Sequence, residues 1–218
     1  MKHRKISIEV APLSQLFSLS KDDFADLKQF HRYKKQQIDQ YRNQLLSVYF
    51  QKNISNTDIQ RTEYGKPFLV DDPGLVFNHS HSQQNYAIAM STHIQDLGID
   101  LEDLDRQVRF EALAKHAFHP NEWQRWQQLD CDPEYWFKVW TTKEAVLKAA
   151  GVGIALDLNS LNTQVHPIHN GGMCSHPQLG SFSYQNFILN NSIMLTVAWR
   201  AEPSCRGFQL PSIQIIQH

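Results

Sequence analysis

The 218-residue chain is poor in cysteine, in long apolar runs and in net charge of either sign. Its three cysteines, Cys131, Cys174 and Cys205, stand far apart with no C-x-x-C spacing. That excludes a disulfide framework and points to a reducing, cytoplasmic setting. Nowhere do about 18 apolar residues run uninterrupted, as a membrane-spanning helix needs. The opening MKHRKISIEVAPL has no long apolar stretch of the signal-peptide kind. A soluble protein that engages no membrane is expected. Lysine and arginine number 21 against 22 acidic residues, and this balance argues against a dedicated nucleic-acid binder. Also missing are the G-x-x-x-x-G-K-[ST] loop and the G-x-S-x-G nucleophile elbow.

Hydrophobic residues make up 41%, enough for a real core at this length. KISIEVAPL alternates Ile6, Ile8 and Val10 and reads as a strand broken by Pro12. From LSKDDFADLKQF to YRNQLLSVYF the pattern is helical, with Ser20 as N-cap and Phe24, Leu27 and Phe30 at three-residue spacing. Within it Lys28, Arg32, Lys34, Lys35 and Arg42 face only Asp39, which makes either a solvated helix face or an attractor for an anionic ligand. Short extended pieces follow at 68–70 and 75–78, then the strands NYAIAMS and LGIDLEDL. RFEALAKHAFHPNEWQRWQQL and PEYWFKVWTTKEAVLKAA read as helices separated by a Cys-Asp-Pro turn, and the tail as a hairpin turning at Asn190-Asn191. The expected fold class is α+β, as two similar lobes with a ligand cleft between them: 1–96 and 97–218.

Several side chains are candidates for chemistry. On a strand, Asp100 and Glu102 share one face while Ile99 and Leu101 share the other. Two such carboxylates suit a hard ion like Mg²⁺, or else they mark a solvated strand edge. Gly65-Lys66-Pro67 holds a lysine on a stiff turn, with Arg61 just upstream. His79 and His81, at i and i+2, could share a transition metal with His116 or His119, an alternative metalloenzyme reading. Glu144 and Lys148, at i and i+4, project from one helix face: either a surface ion pair or two groups aimed at a phosphorylated ligand. Phe137, Val146 and Trp140 would anchor that helix in the core, with Lys143 pointing elsewhere.

The order of these blocks is more specific than any one of them. Gly65-Lys66-Pro67, then Phe77-Asn78-His79-Ser80-His81-Ser82, then Gly98-Ile99-Asp100-Leu101-Glu102, then Trp140-Thr141-Thr142-Lys143-Glu144 with Lys148 resembles the 4′-phosphopantetheinyl transferases. The match is to the longer, surfactin-synthetase-activating type and runs from about Arg61 to Ile154. FHPNEW also looks like that family's F-x-x-x-E segment.

The resemblance implies an enzyme, a holo-[carrier protein] synthase. It would move the 4′-phosphopantetheine of coenzyme A onto a serine of an apo acyl- or peptidyl-carrier protein and release 3′,5′-ADP. Fatty-acid, polyketide and nonribosomal carriers are equally open as acceptors. The implied fold is a pseudo-dimer of two α+β lobes within one chain, for which a monomer suffices. Carried over by position, Asp100, Glu102 and Glu144 would hold Mg²⁺, with Mn²⁺ as a substitute. Glu144 is the candidate base, Asp100 and Lys148 complete the catalytic set, and Lys148 would contact the diphosphate. Arg61, Lys66, Ser80 and His81 would bind coenzyme A, with Arg42 the choice for the 3′-phosphate ahead of Lys34 and Lys35. His79 and Gln83 depart from the family pattern, at places usually small or apolar and glycine. A non-catalytic coenzyme A or carrier-binding module is the alternative from another class.

Overall fold

The computed structural model describes residues 4–153, 156–201 and 210–218. Cys205 and Ile154, the end of the motif-bearing stretch, lie outside the described residues. The chain is α+β. One four-stranded sheet has the order β10-β1-β5-β4, formed by β1 (Lys5–Pro12), β4 (Val76–His81), β5 (Asn85–Ser91) and β10 (Ser212–Gln217). The second has the order β6-β9-β8-β7, formed by β6 (Gly98–Asp103), β7 (Gly171–His176), β8 (Gly180–Leu189) and β9 (Ile193–Arg200). A two-stranded ribbon pairs β2 (Ile59–Arg61) with β3 (Pro67–Leu69).

Side-chain alternation explains how these sheets stack. A strand sends successive residues to opposite faces. Ile6, Ile8 and Val10, Ala87 and Ala89, Ile99 and Leu101, and Leu195 and Val197 all meet in one buried cluster between the sheets. The alternate residues Tyr86, Ile88 and Met90 instead pack with Leu13 of the short helix α1 (Leu13–Leu16) and with Ile38 and Leu46 of the long helix α2 (Leu27–Phe50). On the far side, Met194, Ala198, Phe182 and Tyr184 pack under α3 (Phe110–Ala117), α4 (Pro120–Gln128) and α5 (Pro133–Ala150). The layers therefore run helix, sheet, sheet, helices, and the two sheets share a core.

The boundary at 96/97 falls in the connection from β5 to β6. β10 departs from the division, because Ser212–Gln217 pairs in parallel with β1, Lys5 opposite Ser212, and so joins the sheet built from the first half. The hairpin turn at Asn190-Asn191 is present, with both residues at positive φ, 51° and 55°, as a tight turn between twisted strands requires.

One expectation at the N-terminal helix is corrected. Ser20 caps only a single 3₁₀ turn at Lys21–Asp23, and its hydroxyl and backbone N–H both bond to the Asp23 carboxylate. The true N-cap of α2 is Asp26, whose Oδ1 accepts from the Gln29 N–H at 2.8 Å. Phe24 therefore lies outside the helix, and Leu27 is 51% exposed. The stretch 110–128 is two helices rather than one, since Pro120 lacks the N–H that would continue α3 and starts α4 instead.

Candidate active site

α5 is the helix on which the site is mounted. Asp132 caps its start by accepting from the Glu134 and Tyr135 N–H groups, Pro133 takes the first helical position, and Gly151 ends it at φ 72°. Phe137 and Val146 are buried, and Trp140 stacks on Trp136 with ring centroids 5.2 Å apart, as the anchoring side requires. β6 lies directly against this helix. A Cβ on Gly98 would stand 2.1 Å from the Ala145 carbonyl oxygen and 2.4 Å from the Ala149 nitrogen, so the motif glycine is what lets strand and helix touch.

That approach brings four groups together. Asp100, Glu102, Glu144 and Lys148 come from β6 and α5, and the charge of Asp100 acts on both Glu102 and Glu144. Burial raises the Glu144 carboxyl above its ordinary range, Asp100 adds to the rise, Lys148 opposes it and Glu102 adds again. Glu102 is raised too, by burial first. Its bond from Arg106 at 2.5 Å opposes the rise, and the charge of Asp100 adds to it. The solvated strand edge is therefore not what forms here, since all of Gly98–Asp103 is buried.

Glu144 and Lys148 do not pair with each other. Lys148 Nζ donates to Asp100 Oδ1 at 2.6 Å and to Ser80 Oγ at 2.8 Å, leaving one of its three donors unused. Glu144 has no hydrogen bond or ion pair among the described residues. Asp100 Oδ2 is buried and likewise has no partner.

β4 is clasped to β6 by alternate side chains. Asn78 Oδ1 accepts from the Ile99 N–H at 3.0 Å, Ser80 Oγ donates to Asp100 Oδ1 at 2.8 Å, and Ser82 Oγ donates to Asp103 Oδ1 at 2.8 Å. β6 is an edge strand of its own sheet, so Asn78 satisfies an N–H that the ladder leaves free. Ser80 has only one O–H to donate, and Asp100 takes it. His79 and His81 lie on the other face of β4. His79 Nδ1 is buried without a partner, and its pKa is pushed down to about 3 by burial and then by Arg42, Arg61 and Lys148. His81 is exposed, and among the described residues its hydrogen-bond contact is the Ser82 carbonyl, at 3.4 Å.

Arg61, Tyr64, Lys66, His79, Lys148 and Gly153 line a cavity of about 170 Å³. Arg61 is exposed and bonds the Gly65 carbonyl at 2.8 Å. Lys66 is turned inward, with Nζ on the Ala149 carbonyl at 2.5 Å and 3.9 Å from Asp96. It thus caps the carbonyl end of α5, where the helix dipole favours a cation, and burial lowers its pKa. Arg42 does not line this cavity. It is buried on α2, with its guanidinium engaged by Asp39 at 2.7 Å, Asn43 and Asn56. Lys34 sits over the Phe17 and Phe30 rings, and Lys35 pairs with Asp39.

Oxygen donors of this kind suit Mg²⁺, which takes one or two carboxylates and fills its shell with water and substrate phosphates. The partnerless Asp100 Oδ2 fits that role. No group of three His, Cys, Asp or Glu side chains able to hold a metal occurs among the described residues. The described carboxylates would thus supply only part of an ion's shell, and water and phosphate oxygens would have to supply the rest. The histidine alternative has no cluster among the described residues either. His119 is committed to capping α4, its Nδ1 accepting from the Asn121 N–H at 3.2 Å.

Motif spacing did not reveal two relationships. Lys143 is buried against Glu122, so the two family-like segments that contain them meet in the core. The clasp at 78, 80 and 82 does have a sequence signal, the period of two in short polar side chains on a strand.

Comparison with known proteins gives the same segment. Residues 96–198 match the family model described as the 4′-phosphopantetheinyl transferase superfamily. The chain is 44% identical over 96 residues to the 4′-phosphopantetheinyl transferase HetI of Nostoc, covering 42% of this chain and 40% of the relative. It is 34% identical over 132 residues to the transferase gsp of Aneurinibacillus migulanus, covering 56% and 53%. With Sfp of Bacillus subtilis it is 32% identical over 124 residues, covering 56% and 54%. The chain thus spans about half the length of the curated relatives it matches. Residues 96–198, which carry β6, α5 and the carboxylates between them, thus match the 4′-phosphopantetheinyl transferase superfamily, and the likeness extends to the transferases gsp and Sfp.

Proposed function

We propose that the protein transfers 4′-phosphopantetheine from coenzyme A to a serine of an apo acyl- or peptidyl-carrier protein, releasing 3′,5′-ADP in a Mg²⁺-dependent reaction. The observation that carries this reading is the convergence of Asp100, Glu102 and Glu144 with Lys148 at the β6–α5 contact. Asp100 and Glu102 would hold the ion, with Glu144 beside them free to act on a proton; when bound, the ion would neutralise the diphosphate and draw electron density from the phosphorus. Glu144, whose raised pKa makes it a better base than an ordinary carboxylate, takes the proton of the carrier serine. The serine oxygen then forms its bond to the phosphorus that bears the pantetheine arm. The bridging P–O bond breaks, and its electron pair leaves with 3′,5′-ADP. The unused donor of Lys148 meets a diphosphate oxygen and stabilises the charge gathering on the leaving phosphate.

Arg61 and the cavity beside it offer positive charge to the adenosine 3′-phosphate end of coenzyme A. Arg42 acts there by its charge, which reaches His79, since four of its five N–H donors are engaged by Asn43, Asp39 and Asn56. The division into a coenzyme A lobe, 1–96, and a carboxylate lobe, 97–218, follows the same lines apart from β10. The reaction needs no partner subunit, so a cytoplasmic monomer acting on a carrier protein is sufficient. Incubation with coenzyme A, Mg²⁺ and a panel of apo-carrier proteins, read by intact-protein mass spectrometry, tests the proposal. One phosphopantetheine added to at least one carrier is expected. No mass gain on any carrier, from folded protein that binds coenzyme A, overturns it.

A further inference from the structure

We propose that Ser80 is a positioning residue of the carboxylate site, and that its hydroxyl keeps Asp100 Oδ2 open by locking Asp100 and Lys148 together on Oδ1. The inference rests on the proposed transferase reading but concerns a contact within the protein rather than one with coenzyme A.

The three groups form a closed triangle. Ser80 Oγ donates to Asp100 Oδ1 at 2.8 Å, Lys148 Nζ donates to that same oxygen at 2.6 Å, and Lys148 Nζ also donates to Ser80 Oγ at 2.8 Å. A carboxylate turns easily about its terminal torsion, because that well is broad. Two donors on one oxygen remove this freedom, and the second oxygen is left buried and partnerless. A buried carboxylate oxygen with no partner is costly, and it persists because the surrounding contacts hold it there. Without the hydroxyl only Lys148 would hold Asp100. The carboxylate could then rotate and offer Lys148 both oxygens, so the ammonium would compete for the site a cation needs.

The backbone places Ser80 for this task. Asn78, two residues earlier on the same face of β4, bonds the Ile99 N–H and so fixes the level of β6 against β4. Ser82, two residues later, ties Asp103 at the other end of β6. Asp103 also accepts from the Gln84 N–H and from Asn85 Nδ2, so that contact secures the turn after β4 and lies outside the carboxylate cluster. The three rungs look alike in sequence yet differ in consequence, since only the middle one touches a proposed metal ligand.

The test uses Mn²⁺ as the probe, titrated by electron paramagnetic resonance against the full chain with saturating coenzyme A. Thermal unfolding, and kcat and KM for the carrier, are measured alongside. Ser80→Ala should stay folded and lose roughly 10-fold or more in Mn²⁺ affinity, the usual size of an effect on a ligand's supporting contact. Its kcat should fall with little change in KM for the carrier. Ser80→Thr, which keeps the hydroxyl, should recover most of both losses. Ser82→Ala should lower the unfolding temperature without altering Mn²⁺ affinity. Unchanged Mn²⁺ affinity in folded Ser80→Ala overturns the inference, as does an equal affinity loss in Ser82→Ala. A wild-type protein that binds Mn²⁺ and coenzyme A but modifies no carrier defeats the transferase reading alone. The Mn²⁺ comparison then still decides the role of Ser80. A wild-type protein that binds no Mn²⁺ with coenzyme A defeats the Ser80 role as well.

Discussion

Lys143 and Glu122 form an ion pair inside the protein, Nζ to Oε2 at 2.8 Å, with side chains 1% and 2% exposed. Neither charge is left with an unmet hydrogen-bonding group. Lys143 gives its other two protons to the Leu158 and Leu161 carbonyls. Glu122 also accepts from the His119 N–H at 2.8 Å and from the Thr163 N–H and hydroxyl. The pair thus pins α4 and the segment 158–163 to the helix that carries Glu144.

Removing one partner leaves the other charged and buried. Lys143→Met and Glu122→Leu are each expected to cost about 3–5 kcal/mol, the usual size for a broken buried pair. Urea unfolding at 25 °C measures this. A loss below about 1 kcal/mol for Lys143→Met would show that the pair is dispensable.

Gly98→Ala should be among the most damaging single-methyl changes in the chain. Its Cβ meets the backbone of Ala145 and Ala149, which cannot turn aside, so β6 must lift from α5. A cost of roughly 3 kcal/mol is expected, with activity lost even in the fraction that folds. Gly74→Ala, where nothing lies within 4 Å, is the matched control and should be close to neutral. Equal melting temperatures for the two variants would contradict the close approach.

Glu144→Gln is expected to abolish transfer while making the fold more stable. The Glu144 pKa is raised by burial and by the neighbouring carboxylates, so the folded state holds a proton that the unfolded chain releases. Stability is therefore highest below the unfolded pKa and falls as pH rises through the folded one, so keeping this carboxyl at higher pH opposes folding. Glutamine removes that opposition, a gain on the order of 1 kcal/mol typical of relieving an active-site strain. Differential scanning calorimetry at pH 7.5 should show a higher melting temperature than wild type. An unchanged or lower one would mean that Glu144 is not electrostatically strained.

His79 gives the opposite pH dependence. Its pKa is depressed to about 3 by burial and nearby cations, against an ordinary value near 6.5. The unfolded chain binds this proton first as pH falls, so stability is intact above about pH 6.5 and declines toward pH 3. The melting temperature should drop by several degrees between pH 7 and pH 5, and the drop should shrink in His79→Gln. An identical profile in the variant would assign the acid sensitivity to other groups.

Much of this was legible in the residues, for physical reasons that differ by element. β5 carries an apolar run, β6 alternates apolar and acidic residues, and the β8–β9 hairpin has a twin-asparagine turn, and local signals of that kind survive into the fold. The i, i+4 spacing of Glu144 and Lys148 correctly puts both on one face of α5, but spacing alone does not choose partners. Lys148 turns to Asp100, which lies 48 positions earlier in the chain. Lys66 and Arg42 show the same limit. Both are basic residues expected from the sequence to bind coenzyme A, yet one caps α5 and the other is enclosed by Asp39, Asn43 and Asn56. Ser20 failed as the helix cap because Asp26 competes for the same task with a better-placed carboxylate. β7 opens with two glycines and is short, so no periodicity announces it.

The strand β10 has a consequence for how the protein is made. Glu9 and His218 stand 209 positions apart in sequence, yet their side chains meet at 2.7 Å, and β10 is the only described neighbour of β1 on that side. Until it arrives, β1 presents a bare row of backbone donors and acceptors, a template on which a neighbouring nascent chain can dock. Local helices such as α2 can form early, but this closure waits for almost everything between its ends. The interval before closure is thus the stage of synthesis at which the protein is most exposed to aggregation, and the stage at which a chaperone has most to protect.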